Sequence, residues 1–210
     1  SRRDPAKDRV DSENRLLGRY PVRRLDAESL RDAILAVSGR LDDRLHGPSV
    51  AVAEDAVGLV SPPADSSRRS VYLQVRRTRP VSFLSAFDAP VMSVNCDRRT
   101  DSTSAPQSLM LMNGDFIVDH AAKIADRLHA ETPDDFYDPS KPALERRIAY
   151  AWRLIYDRPI SEEEMAWARA FAADQRATLD RENAKGDRDQ TVLAHLCQQL
   201  LNSNEFLYVD

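Results

Sequence analysis

A helical period in the second half of the chain restricts the fold more than any other feature. Leu144, Ile148, Trp152 and Ile155 recur at intervals of four, four and three residues, so all four fall on one face of a helix. Pro142 stands where a helix can begin, and the stretch Asp157–Pro159 (DRP) ends it. Ser161 and Glu164 have capping-box spacing and open a long helix to about Arg181, with Met165, Ala168, Phe171, Ala172 and Leu179 inward. A last helix, from about Gln190 to Leu201, groups Val192, Leu193, Leu196 and Leu200. Upstream, Ser104 and Gln107 form another capping-box pair, with Pro106 in the first turn and a stop at Asn113–Gly114. The helix that follows, about Asp115 to Ala130, turns Phe116, Ile117, Ile124 and Leu128 inward. Helices with a single apolar stripe must bury it against one another, which predicts a bundle over 105–201.

The first half is mixed. Residues 1–20 are polar apart from Leu16 and Leu17 and read as an extended arm. A helix follows Pro21, capped by Asp26 with Glu28 in its first turn, and steps through Leu30, Ile34, Val37 and Leu41. Gly39 weakens its last turn, and His46–Pro48 ends it. Two apolar runs, Val50–Ala53 and Val57–Val60, precede a Ser/Pro break. Then Val71, Leu73 and Val75 alternate with Tyr72, Gln74 and Arg76. These segments predict a small antiparallel sheet within 50–76 that needs a helix layer over one face. The fold class expected is α+β, mostly α: a C-terminal helical bundle packed beside a small antiparallel sheet. Residues 21–210 form one α-rich domain, with helix, sheet and polar loop in 21–104 and the bundle in 105–210.

A chain of 210 residues has room for one sizeable core or two small ones. The net charge of -4 argues against nucleic acid, since no basic excess exists to neutralise phosphates. Clusters such as Arg23–Arg24, Arg68–Arg69 and Arg76–Arg77 are interleaved with acids and read as solvated faces. No apolar run approaches the roughly 20 residues that cross a bilayer, so no membrane span is expected. Ser1–Arg9 is charged with no apolar segment behind it and no initiator Met before it, so the chain is expected to be a fragment of a longer protein. Cys96 and Cys197 could form one bridge or remain two reduced thiols, and spacing does not decide.

The candidate site is the polar run Asn95–Ser104 (NCDRRTDSTS), held between apolar segments. Arg98 and Arg99 offer bidentate forks to a carboxylate or sulfate, with Asn95 and Asp88 beside them as ligand-binding candidates. Asp97 and Asp101 are the candidates for acid or base, which in glycoside chemistry requires about 5–10 Å between two carboxyls. The structural alternative is that these residues satisfy turns and caps, with Arg98 or Arg99 pairing with Asp88 or Asp101 and Asp88 ending a helix over 81–87. His46, His120, His129 and His195 have no metal-ligand spacing and read as surface or partly satisfied histidines, so no metal is expected. Trp152, Trp167, Tyr150 and Tyr156 are either core or a sugar-binding platform, and their helical spacing favours core. The turn Asn202–Glu205 and the segment Phe206–Tyr208 read as tying the C-terminus into the sheet or core.

Several phrases go beyond pattern: Asn14–Leu17 (NRLL), Arg24–Leu41 (RLDAESLRDAILAVSGRL), Arg68–Tyr72 (RRSVY), Phe83–Pro90 (FLSAFDAP), Gln107–Asn113 (QSLMLMN) and Leu200–Tyr208 (LLNSNEFLY). Together they resemble a large planctomycete-type family of unknown function whose domain lies C-terminal to a second domain of unknown function. Many members also carry an N-terminal planctomycete-type cytochrome c domain. The resemblance implies the C-terminal portion of a longer, exported protein, periplasmic or at the cell surface, with the upstream portion of that protein as partner. The Cys-x-x-Cys-His motif of haem attachment does not occur in these residues, so haem c would belong to the parent protein and no cofactor is expected here. The resemblance carries over no catalytic residue.

The expectation is therefore a binding or structural module of an exported multi-domain protein, with a polar ligand site at 95–101 for a polysaccharide or other polyhydroxylated or anionic ligand. The alternative is part of an enzyme acting on polysaccharide-like or sulfated substrates, with haem-linked redox elsewhere in the parent. Whether the chain is an enzyme stays open at this point.

Overall fold

The computed structural model describes residues 5–18, 20–90, 99, 102–134, 136–138, 140–183 and 185–209, with the backbone alone at Asp8. In chain order the first half holds α1 (Pro5–Val10), β1 (Arg23–Arg24), α2 (Ala27–Val37), β2 (Ala53–Glu54), β3 (Val60–Ser61), a 3₁₀ turn at Ser70–Tyr72 and α3 (Ser82–Ala86). The second half holds α4 (Ala105–Asn113), α5 (Asp115–Glu131), α6 (Ala143–Tyr156), α7 (Glu162–Arg181), α8 (Arg188–Leu201), α9 (Asn204–Leu207) and β4 (Tyr208–Val209). The mostly helical α+β class expected from the periodicity is what the structure shows.

The bundle is built around α5 and α8. Ile117, Ile124 and Leu128 from α5 and Val192, Leu193 and Leu196 from α8 are fully buried, and α7 and α6 lie against α8. Both capping pairs form. Gln107 Oε1 accepts from the Ser104 N–H at 3.2 Å, and at Ser161 the Glu164 carboxylate accepts from the Ser161 N–H at 2.8 Å. Gly114 separates α4 from α5 because a Cβ there would stand 2.5 Å from the Met110 carbonyl oxygen. α6 closes on Asp157, whose left-handed backbone (φ +56°) is fixed by Arg153 donating to its carbonyl at 2.9 Å.

α2 starts at the expected cap but ends earlier than Leu41. Gly39 turns the chain at φ +68°, and Arg127 of α5 donates to the Ala36 and Val37 carbonyls at 3.3 and 2.9 Å. Gly39 ends this helix rather than merely weakening it.

The expected strand at 70–76 is replaced by the 3₁₀ turn and a single parallel bridge between Val50 and Leu73. The cause lies on α2. Asp32 Oδ1 accepts from both the Ser70 N–H and its hydroxyl at 2.7 Å, while Arg31 donates to the Arg68 carbonyl at 3.0 Å and the Ser66 carbonyl at 3.3 Å. Side chains of a helix thereby fix the backbone at Ser66, Arg68 and Ser70. The pairing that follows is limited to Val50, which bonds to the Tyr72 carbonyl and the Gln74 N–H at 2.8 Å each. Only Leu73 of the alternating set is buried, and Val71 and Val75 face solvent.

The antiparallel pairing lies in two short ribbons. β2 pairs with β3, Ala53 opposite Ser61. β1 pairs with β4, Arg23 opposite Val209 and Arg24 opposite Tyr208, so the end of the chain is drawn into a ribbon as its composition suggested.

Candidate functional site

Asn95, Asp97, Arg98 and Asp101, with Cys96 beside them, lie outside the described residues. The structure shows how the described residues on either side, Asp88 and Ser102, are held. α3 ends at Asp88, whose backbone turns into the left-handed region (φ +62°), and the Ala89 N–H bonds back to the Leu84 carbonyl at 2.9 Å. The Asp88 carboxylate then accepts from the Ser102 N–H at 2.8 Å and the Ser102 hydroxyl at 2.8 Å. Asp88 and Ser102 are thereby held together in a neck.

That neck is clamped from β1. Strand alternation sends Arg23 outward and Arg24 inward, where Arg24 is only 6% exposed. Arg24 Nη2 donates to Asp88 Oδ2 at 2.7 Å and to the Phe87 carbonyl at 3.2 Å, while Nη1 donates to the Ser102 carbonyl at 2.5 Å. Gln107 Nε2 adds a bond to the Ala86 carbonyl at 2.9 Å. Burial pulls the Asp88 carboxyl upward, but the bonds from Arg24 and Ser102 outweigh it and leave it below the ordinary carboxylate range. Asp88 thus both ends α3 and orients an arginine, and that arginine is Arg24, outside the polar run.

Arg99 reaches the first turn of α2. Its guanidinium donates to both Glu28 oxygens, at 2.7 and 3.1 Å, and lies 3.7 Å from Asp26. The Arg99 hydrogen bond holds the Glu28 carboxyl below its usual range.

A concave cleft of about 530 Å³ opens on the other ribbon strand, lined by Val22, Asn204, Glu205 and Tyr208 among the described residues. Its Glu205 carboxylate accepts from Arg158 Nε and Nη2 at 2.5 and 2.7 Å. The same guanidinium donates to both Glu164 oxygens, at 2.8 and 2.5 Å, and its hydrogen bonds hold the Glu164 carboxyl well below the usual range. Tyr156 sits beneath Arg158, with its hydroxyl 2.8 Å from Ser203 Oγ and 3.1 Å from the Leu200 carbonyl. Arg99 does not line this cleft. The connection between cleft and neck is Arg24, whose backbone opposes Tyr208 and whose side chain holds Ser102.

His120 is buried, its Nδ1 2.7 Å from the Phe116 carbonyl oxygen, and His195 Nδ1 lies 2.8 Å from Gln175 Oε1. Among the described residues no group of three or more His, Cys, Asp or Glu is placed to hold a metal ion, and no helix is long and apolar enough to cross a membrane. The groups that sequence reading passed over are Arg24, taken for a solvated cluster, and the Arg158–Glu205 pair. The signal for Arg24 was its alternation with Arg23 next to a predicted helix; for Arg158 and Glu205, distant in sequence, there was none.

The model of the family described as PSD1, protein of unknown function (DUF1553), matches residues 1–172. The chain belongs to that family. Arg24, Asp88 and Ser102 all fall inside the matched residues, whereas Glu205 and Tyr208 fall beyond them. No curated protein and no solved structure matches the chain.

Proposed function

We propose that this chain is a binding or structural module of a longer, exported multi-domain protein, and that the polar run from Asn95 to Asp101 contacts a polysaccharide or another polyhydroxylated or anionic ligand. In this reading Asn95, Arg98 and Arg99 bind the ligand, and Asp88 holds Ser102 in the neck. Haem, where the parent protein has it, belongs to its cytochrome c module, and the upstream portion of the parent is the partner chain. The observation that carries the reading is the double engagement of Arg24, which ties the ribbon bounding the cleft to the neck of the polar run. A loop with its ends pinned by buried hydrogen bonds loses less freedom on binding, which is how recognition loops gain affinity.

The test is retention on immobilised neutral and sulfated polysaccharides for the wild type and for Asp97→Asn, Arg98→Ala and Arg99→Ala. Loss of retention with an unchanged unfolding midpoint supports the reading. A loss of roughly 1–3 kcal/mol of stability with retention intact makes the residues structural. Turnover of a retained substrate that Asp97→Asn or Asp101→Asn abolishes would instead make the chain part of an enzyme acting on that material.

A further inference from the structure

A chain of bonded side chains leads from the cleft to α7. Glu205 on its wall is bonded to Arg158, Arg158 to Glu164, and Glu164 lies one helical turn before Trp167 on α7. Trp167 is 48% exposed, yet it is not loose. Its ring stacks on Phe171 at 5.6 Å and meets the edge of Trp152 at 6.3 Å, and Trp152, 2% exposed, meets Tyr156 at 6.0 Å. A rigid indole therefore stands at one end of a polar track and a concave hollow at the other.

We infer that this track, from the cleft of Val22, Asn204, Glu205 and Tyr208 to the exposed ring of Trp167, binds an extended neutral oligosaccharide. The inference rests on the proposed polyhydroxylated ligand and narrows it to an uncharged one. The C–H face of a pyranose is apolar with partly positive hydrogens, which suits the negative face of an indole. Its hydroxyls donate to carboxylates, and Glu205 keeps acceptor lone pairs beyond those used by Arg158. Glu164 also serves the Ser161 N–H and acts mainly by holding Arg158 in place. Two carboxylates around one guanidinium leave the track with an excess negative charge, which repels a sulfated or carboxylated polymer. The ordered aromatic row also limits the rotamer freedom lost on binding.

The protein contains two tryptophans, so emission reports on this site directly. The experiment titrates the full chain with cello-, xylo- and manno-oligosaccharides from disaccharide to hexasaccharide, and with heparin, following tryptophan fluorescence and calorimetry. The expected result is an affinity that rises about tenfold or more with length, a blue shift of emission with the longer ligands only, and no response to heparin. Trp167→Ala reduces the hexasaccharide to the affinity of the disaccharide, while Trp167→Phe, which preserves the stacking on Phe171, retains most of the gain. Binding of short and long oligosaccharides with equal affinity overturns the track and leaves the cleft as a site. Retention of heparin through Arg98 and Arg99 with no fluorescence change overturns the track and supports the polar-run reading alone. Failure of every oligosaccharide and of heparin to bind overturns both. A concentration-dependent sedimentation coefficient that Trp167→Ala abolishes identifies the ring as a self-association contact and also overturns the inference.

Discussion

Arg24 and Asp88, joined at 2.7 Å, form a charge-assisted bond between a strand and the turn that follows a helix, with the arginine side chain almost wholly withdrawn from solvent. Removing one partner of such a pair strands the other. Arg24→Leu is expected to cost about 3 kcal/mol, read as a lowered urea midpoint. Asp88→Asn tolerates the left-handed backbone and keeps one acceptor, so its cost is smaller. Equal costs for the two variants would mean that the charge carries the whole effect, whereas a cost-free Asp88→Asn would mean that it contributes nothing beyond geometry.

The Glu164 carboxyl is held below its usual range chiefly by the Arg158 hydrogen bond, with burial opposing it. The unfolded chain takes up this proton first as pH falls. The stability that the pair supplies is therefore fully present above about pH 4.3, the ordinary glutamate value, and is lost as pH drops towards the lower folded-state value. Thermal midpoints measured down the acid limb should fall less steeply in Glu164→Gln than in the wild type. Asp88 and Glu28, also lowered, keep part of the slope in that variant.

Gly114 admits no side chain without movement of the Met110 carbonyl. Gly114→Ala should cost about 1–3 kcal/mol in chemical denaturation, although alanine is the better helix former. A neutral or stabilising result would show that α4 and α5 can hinge apart at no cost.

Cys197 is a free thiol in the fully buried face of α8, and burial pushes its pKa up to about 12. Very little thiolate forms at neutral pH, and no reagent reaches it. Mass-spectrometric labelling with iodoacetamide should leave Cys197 unmodified in the native protein and modify it fully in denaturant. Native labelling at Cys197 would require α8 to open locally.

The helices were legible because their information is local. Ser161 and Glu164 name a start three residues apart, and Ile148, Trp152 and Ile155 name the buried face within two turns. The strand expected from Val71, Leu73 and Val75 failed because the groups that fix the backbone leading into it, Asp32 and Arg31, come from a helix almost forty residues away and act through side chains. Arg24 had the same difficulty. Its alternation with Arg23 only hints that one of the two points inward, and its acceptors Asp88 and Ser102 are more than sixty residues on. Asp88 was legible in part: its role as the end of α3 follows from the local phrase FDAP, whereas its choice of arginine does not.

The pairing of Arg24 with Tyr208 also orders events during synthesis. A chain emerging from the ribosome presents Arg24 early, but the ribbon that seats it cannot zip until Tyr208 has been translated. Whatever the polar run contacts, its clasp shuts only once Tyr208 has been made, so a polypeptide truncated before Tyr208 should leave the latch unfastened.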